Sequence, residues 1–490
     1  WRAHRAVDRR RVARDSCGRV ASSRLASGHS PQHAYRMNSI HPRLAALCLL
    51  PSLLTAAPKF AVAPFSADVT VPIGHGMMGG LWKSTSVADL LFAKGIVITG
   101  GDQPVVFVSV DWCEIRNASF DRWREELARA AGTTRERILV SAIHQHDAPV
   151  TDLDAQRILN RRGLEGSVCD LAFHKKAVQR TAAALRAALE KAYPVTHIGL
   201  GQAKVEKLAS NRRYVLPDGK VSFGRGSASG RNVLAANAPE GTIDPWLKTL
   251  TFWNGDTPVA ALSGYATHPM SYYRTGEVSA DFPGIARARR QKETPGCLQV
   301  YFSGPSGNVT AGKYNTGERK NRAVLAGRLH AAMAEAWKNT KRKPLEQVKF
   351  RNAELRLKPR DHPGFTTEDF NKKLEPGVNH WHQCLAAMGL SWRQRCERGQ
   401  PVDVPVIDLG SAQLLLLPGE SYVEYQLAAQ KMRPDSFVMV AGYGEGGTGY
   451  VPTEKHWVEK DSNLGDWCWV HPGAEKPMLE AIRKALMPPR

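Results

Sequence analysis

Ile138-Leu139-Val140-Ser141-Ala142-Ile143, a run of apolar and β-favouring residues, leads directly into His144-Gln145-His146-Asp147. The run reads as a buried strand. Two imidazoles and a carboxylate then stand where that strand emerges. Side chains two apart on an extended segment point the same way, so His144 and His146 are expected to converge as metal ligands or as an acid/base pair.

The same grammar recurs along the chain. Pro258 to Thr267 reads as a buried strand and is stopped by His268-Pro269, and Leu298 to Ser303 runs into Gly304-Pro-Ser-Gly-Asn-Val-Thr310. Gln413 to Leu417 reaches Pro418-Gly419-Glu420, and Ser436 to Ala441 opens into Gly442-Tyr443-Gly444 and, further on, Tyr450. Ligands collect at the common edge of strands, so five such ends predict one shared site.

Helices are predicted over Ser119 to Ala131 (ending at Gly132), Phe173 to Ala192, Arg319 to Trp337, Tyr422 to Met432 and Pro477 to Leu486. The first carries Phe120, Trp123 and Leu127 about one turn apart. Further strand-like stretches are Val71 to His75, Leu91 to Thr99 and Val105 to Val110, while Val205 to Glu240 and His362 to Gln400 read as long loops. Strands and helices mixed without strict regularity predict an α/β (mixed α+β) layered fold with one large domain. The 42% hydrophobic composition is enough for a sizeable core.

Residues 1–36 are arginine-rich without apolar periodicity and read as a non-native or disordered leader. From Met37, Arg43, the 11-residue apolar stretch Leu44 to Leu54 and Thr55-Ala56-Ala57 read as a signal peptide over 37–57. Residues 58–490 are then a secreted or periplasmic catalytic domain, with no stretch of the roughly 20 apolar residues that a membrane span needs. Of the net charge of +21, residues 1–36 and Arg43 carry eight, which leaves about +13. The remaining cations are scattered along helical stretches. No nucleic-acid motif occurs, and peripheral contact with an anionic membrane or glycan stays open.

Beyond the leader there are six cysteines, at 113, 169, 297, 384, 396 and 468; they do not form a small disulfide scaffold, and Cys384 with Cys396 is the nearest pair for a bridge. Trp457, Trp467 and Trp469 suit either an aromatic substrate platform or core packing.

In the order and spacing of these motifs, Ser66 to Val451 resembles the catalytic region of the neutral/alkaline non-lysosomal ceramidases, which are zinc amidases. Ile143-His144-Gln145-His146-Asp147 stands where that family has T-H-T-H-S-G. Thr267-His268-Pro269, Pro418-Gly419-Glu420 and Gly449-Tyr450-Val451-Pro452-Thr453-Glu454 match its other ligand segments. Asn211-Arg212 and Ala280-Asp281 match two more of its motifs.

The resemblance implies one zinc per chain held by His144, His268, Glu420 and Tyr450. His146 lies off the metal as a proton-transfer or oxyanion residue, and Arg212, Asp281 and Tyr443 contact a small-molecule or lipid substrate. Asp111 and Asp147 are candidate acceptors for the ligand imidazoles.

Two departures stand out. Gly307-Asn308-Val309-Thr310-Ala311 replaces G-D-V-S-P, so Thr310 takes the place of the catalytic serine and attack by zinc-activated water is the expected mechanism. The chain also ends soon after Leu486, so the immunoglobulin-like domain of full-length ceramidases is not expected. Hydrolysis of an N-acyl linkage is the leading expectation. Competing with it are a zinc hydrolase of glycan-derived or ester substrates, with Arg212, Arg213 and Arg225 gripping an anion, and a non-catalytic binding protein on the same fold.

Overall fold

Val105–Val110, with its unbroken sequence of buried residues, is a central strand covered on both faces. It belongs to a five-stranded sheet ordered Tyr193–Val195, Phe60–Asp68, Phe92–Thr99, Val105–Val110, Ile138–Ala142. A computed structural model describes residues 59–487, and the leader and signal-peptide expectations lie outside the described residues. A second sheet is ordered Leu298–Ser303, Thr257–Tyr265, Trp246–Asn254, His197–Lys204, Lys341–Pro344. A third is ordered Lys349–Leu355, Val402–Asp408, Ala412–Leu416, Phe437–Ala441.

The three sheets share one construction. Each is antiparallel except for the pair at one edge, which is parallel. In each pair a helix joins the strands: Ala118–Ala131, Asp281–Glu293 and Val423–Met432. A parallel pair needs such a crossover, and its loops gather at the carboxyl ends of the strands.

The inner faces of the sheets meet in one apolar layer built from Ile96, Phe107, Leu139, Leu250, Leu262, Phe302, Leu414 and Met439, among others. Phe107 and Phe302 pack edge to face across it at 5.3 Å. Each large side chain buried there contributes about 1.5–3 kcal/mol. Helices cover the outer faces: Leu171–Leu189 on the first sheet, Arg319–Lys338 on the second, Glu475–Leu486 on the third.

The parallel edges also meet one another. Ala142 N donates to Tyr443 O (3.0 Å) and Gly442 N to Ser303 O (2.9 Å). The Ser303 hydroxyl donates to Ile143 O (2.8 Å). All five predicted ends are thereby drawn to one place.

Some expectations fail locally. Val71 to His75 is a turn. The unpredicted strand Phe60–Asp68 contains Pro64, but its neighbour Tyr193–Val195 pairs only with residues 60 to 62. Pro64 therefore sits where the strand is an edge and its missing N–H costs no ladder bond. His362 to Gln400 is not a loop. It holds the helices Thr367–Lys373, opened by a Thr366/Asp369 capping box, and His380–Glu397, capped by Asn379. The second buries Cys384, Leu385, Met388 and Trp392 along one face. Cys384 and Cys396 both lie on that helix, 12 residues or about 18 Å apart, too far to bridge, and all six cysteines are free thiols.

His174, on the helix Leu171–Leu189, is buried beside Trp112, and its Nε2 has no hydrogen-bond partner among the described residues. Burial first, then Arg122 and other nearby cations, pushes its pKa down to about 3. The unfolded chain binds a proton here below pH ~6.5 and the folded chain does not. The stability this group contributes is present above that pH and is lost as pH falls, by up to about 1.4 kcal/mol per unit. His174→Leu is expected to flatten the fall in melting temperature between pH 7 and 5; an unchanged slope in parallel thermal melts refutes this.

Candidate metal centre

His144 does not continue the strand Ile138–Ala142. Its φ is +69°, a left-handed conformation costly for a residue with a Cβ. The chain turns there, and the His144 and His146 rings meet at 5.2 Å and 86°. Their proximity comes from a strained turn, not from strand period.

The other groups arrive on the remaining ends. His268 follows Thr257–Tyr265, and its ring lies 4.8 Å from that of His144. Glu420 follows Ala412–Leu416 through Gly419, where a Cβ would meet Thr448 Oγ1 at 2.0 Å. Gly307, after Leu298–Ser303, lets the Glu420 backbone come close, since a Cβ there would lie 2.2 Å from Glu420 O. Tyr443, after Phe437–Ala441, stacks on His144 at 4.2 Å, and its hydroxyl lies 2.8 Å from Ser306 Oγ.

Hydrogen bonds assign the tautomers. His144 Nδ1 donates to Cys113 O (3.0 Å) and His268 Nδ1 to Ser306 O (2.6 Å), and carbonyls only accept. In the neutral tautomers each Nε2 keeps its lone pair, and both point at Glu420 Oε2, at 3.2 Å from His144 and 2.9 Å from His268. Burial opposes the charge on Glu420, but His144 and then His268 outweigh it and hold the carboxyl below its usual range. Burial likewise opposes protonation of His144, and Glu420 overrides it. His268 is pushed down to about 4, by burial and then by Arg212.

Three buried lone-pair donors around one point require a shared proton or a cation. Two imidazole nitrogens and one carboxylate oxygen fit a zinc ion.

Arg212 and Tyr450 adjoin this group. Arg212 donates to Tyr450 Oη (2.7 Å) and lies 3.2 Å from His268 Nε2, so its guanidinium stands between the phenol and the imidazole. Arg212 Nε has no partner among the described residues, nor has either ring nitrogen of His146. Burial, then His144 and His268, keeps His146 neutral well below its usual pKa.

Several sequence-predicted residues sit elsewhere. Asp111 and Asp147 accept nothing from the imidazoles. Asp111 is locked in a buried bidentate pair with Arg287 (2.6 Å for both bonds), and Asp147 receives Arg274 N and faces Arg322. Backbone carbonyls, fixed by the strand ends, took the role expected of these carboxylates. Asp281 opens the helix Asp281–Glu293, where it accepts from Ser271 N and faces Arg322, so it lines no site.

The Thr310 hydroxyl donates to Gly226 O (3.2 Å) and accepts from Gly312 N (2.9 Å), which spends it on the turn. Arg225 is buried on the carbonyls of Asn211, Ala235 and Ala238, and Arg213 pairs with Glu459. Trp469 lies buried against Arg116 and Trp457 stacks on His362, so of the three tryptophans only Trp467 adjoins the site.

Sequence reading missed Glu114, Ser306 and Trp381. Glu114 lies 3.9 Å from His144 Nδ1, pairs with Arg116 (2.8 Å) and accepts from Trp467 Nε1. Trp381 stacks on Trp467 at 5.8 Å and 15°. Glu114 does stand a few residues past the end of the strand Val105–Val110, as the predicted ligands do past theirs, so the signal was there.

These sheets and their shared strand-end centre define a mixed α/β protein of the neutral ceramidase fold. The crystal structure of neutral ceramidase from Pseudomonas aeruginosa matches with a TM-score of 0.65 at 18% identity, covering 88% of this chain and 74% of that one. A ceramidase complexed with C2 matches with a TM-score of 0.65 at 17% identity, covering 88% and 75%. No protein-family model matches the chain, and a search of curated proteins returns no match.

Arg287→Leu strands the Asp111 carboxylate directly behind the His144 turn. It is expected to cost about 3–5 kcal/mol in denaturant unfolding, and Asp111→Leu/Arg287→Leu less than Arg287→Leu alone. Equal or greater loss in the double variant contradicts this.

Proposed function

We propose that this chain is an exported zinc-dependent hydrolase that cleaves an N-acyl, ceramide-like amide. One observation carries the reading: on a ceramidase fold, the Nε2 atoms of His144 and His268 converge on Glu420. His144, His268 and Glu420 would hold the ion, with the Tyr450 phenol at its edge. Such an ion supplies Lewis acidity to a carbonyl oxygen and acidifies a water.

The remaining steps belong to side chains. His146, neutral and with both ring nitrogens free, takes a proton from the attacking water and returns it to the leaving amine. Arg212 orients the Tyr450 hydroxyl and offers its free Nε–H to the carbonyl oxygen as charge develops there. The Thr310 hydroxyl is engaged in its turn, which favours water as the nucleophile. The apolar segment before residue 58 supports export, and among the described residues no helix is long and apolar enough to cross a membrane.

A second reading, hydrolysis of a glycan-derived compound or an ester, draws on the half-buried Trp381–Trp467 stack, a face suited to a sugar ring.

Purified protein is expected to hold one zinc per chain by elemental analysis. His144→Ala and Glu420→Ala lose it, whereas His146→Ala keeps it and loses about 10²–10⁴-fold in kcat. Against a panel of N-acyl sphingoid, N-acyl amino acid, N-acetyl sugar and ester substrates, the amides turn over. Turnover of sugars or esters alone sinks the amidase reading, and a metal-free protein sinks the metalloenzyme.

A further inference from the structure

We propose that Cys113, Met78 and His146 form a second cation site, for a soft ion such as Cu⁺ or Cd²⁺, on the far side of the His144 ring from Glu420. Cys113 Sγ lies 3.6 Å from Met78 Sδ and 3.8 Å from His144 Nδ1. A ring nitrogen of His146 lies within 4.8 Å of that sulfur. Donors bound about 2.0–2.3 Å from one tetrahedral ion are separated by roughly 3.3–3.8 Å, so the two sulfurs already stand at the spacing of ligands in one shell.

The donor types set the class of ion. Thiolate, thioether and imidazole together select soft cations, whereas the neighbouring imidazole and carboxylate set favours zinc. His144 is committed to that neighbouring set: its Nδ1 proton goes to Cys113 O and its Nε2 faces Glu420.

His146 is the independent sign of a ligand. It is 8% exposed, and neither of its nitrogens has a partner among the described residues. Its ring is held instead by edge contacts to Tyr273 at 5.1 Å and to His144 at 5.2 Å. Such contacts fix the ring and leave its lone pair unused.

The backbone holds the two sulfurs in place. Cys113 N donates to Pro149 O (2.9 Å), and Met78, at φ +47°, donates to Ala148 O (3.0 Å), so both hang from the segment that follows His146.

Binding is a ligand exchange. The Sγ–H bond breaks, the proton leaves to solvent, and the thiolate pair closes on the ion while the Met78 thioether and the His146 nitrogen donate without losing protons. The consequence for turnover rests on the zinc hydrolase reading, because a soft ion takes up the nitrogen that would move the proton.

The test is a Cd²⁺ titration of the zinc-loaded protein, followed by thiolate-to-cadmium charge-transfer absorption and by elemental analysis after desalting. The expected result is one cadmium per chain with its absorption band, zinc retained, and turnover lost. Cys113→Ala abolishes the band and confers resistance to cadmium. Met78→Leu, which keeps the volume and the thiol, weakens cadmium binding at least tenfold.

One-for-one loss of zinc, or a band that survives in Cys113→Ala, overturns the proposal. An unchanged affinity in Met78→Leu removes the thioether and with it the assigned site. If the protein binds no zinc yet binds cadmium through Cys113 and His146, the hydrolase reading falls and this site stands.

Discussion

Two imidazole Nε2 atoms that face one carboxylate oxygen, all out of water, repel it unless a proton or a cation sits among them. Much of the architecture serves to hold that arrangement. His144, His268 and Glu420 are 144, 268 and 420 residues into the chain, and no local structure brings them together. What does so is the threefold use of one unit, in which a parallel strand pair at a sheet edge carries its loops outward at the carboxyl ends. Hydrogen bonds among Ala142, Ile143, Ser303, Gly442 and Tyr443 then tie the three edges into one rim. The apolar layer inside the sheets fixes the rim, because sliding any sheet would open voids in a close-packed core.

Charge around the centre is kept by buried pairs. Asp111 with Arg287 backs the His144 turn, and Glu114 with Arg116 stands beside His144. From Arg116 a polar chain runs through Asp152, Asn117 and Glu445 to Arg395, linking the loop after Val105–Val110 to the one that ends in Tyr450. Removing one member leaves its partner as an unpaired buried charge. Such pairs add little net stability, but they punish misplacement, which suits a site that tolerates small errors badly.

The legible parts of this protein were those where a residue's type and its immediate neighbours decide its state. Mostly apolar, β-favouring runs such as Val105 to Val110 and Leu298 to Ser303 were readable as strands because burial on both faces leaves little polar alternation. Gly132 was readable as a helix end because its φ of +66° suits glycine. Phe60–Asp68 was hidden by Pro64, whose effect depends on which strand lies alongside. The helix His380–Glu397 was hidden because its apolar face is mixed with histidine, glutamine and arginine. Its cap at Asn379, and the Thr366 cap of the helix Thr367–Lys373 before it, were the signals available.

The chain by itself determined which chemical groups end which strands: the histidines after Ile143 and Thr267, the glutamate after Pro418-Gly419, the tyrosines after Ala441. Those assignments are local, since an apolar run followed by a turn has few conformations to choose from. Only the tertiary structure decided which of these groups meet and with what partners. It turned His144 out of the strand, gave its Nδ1 a carbonyl in place of Asp111 or Asp147, buried Asp281 beside Arg322 and spent the Thr310 hydroxyl on a turn. Hydrogen-bond partners are chosen by distances of a few tenths of an ångström between segments far apart in the chain. Packing of the three sheets sets those distances.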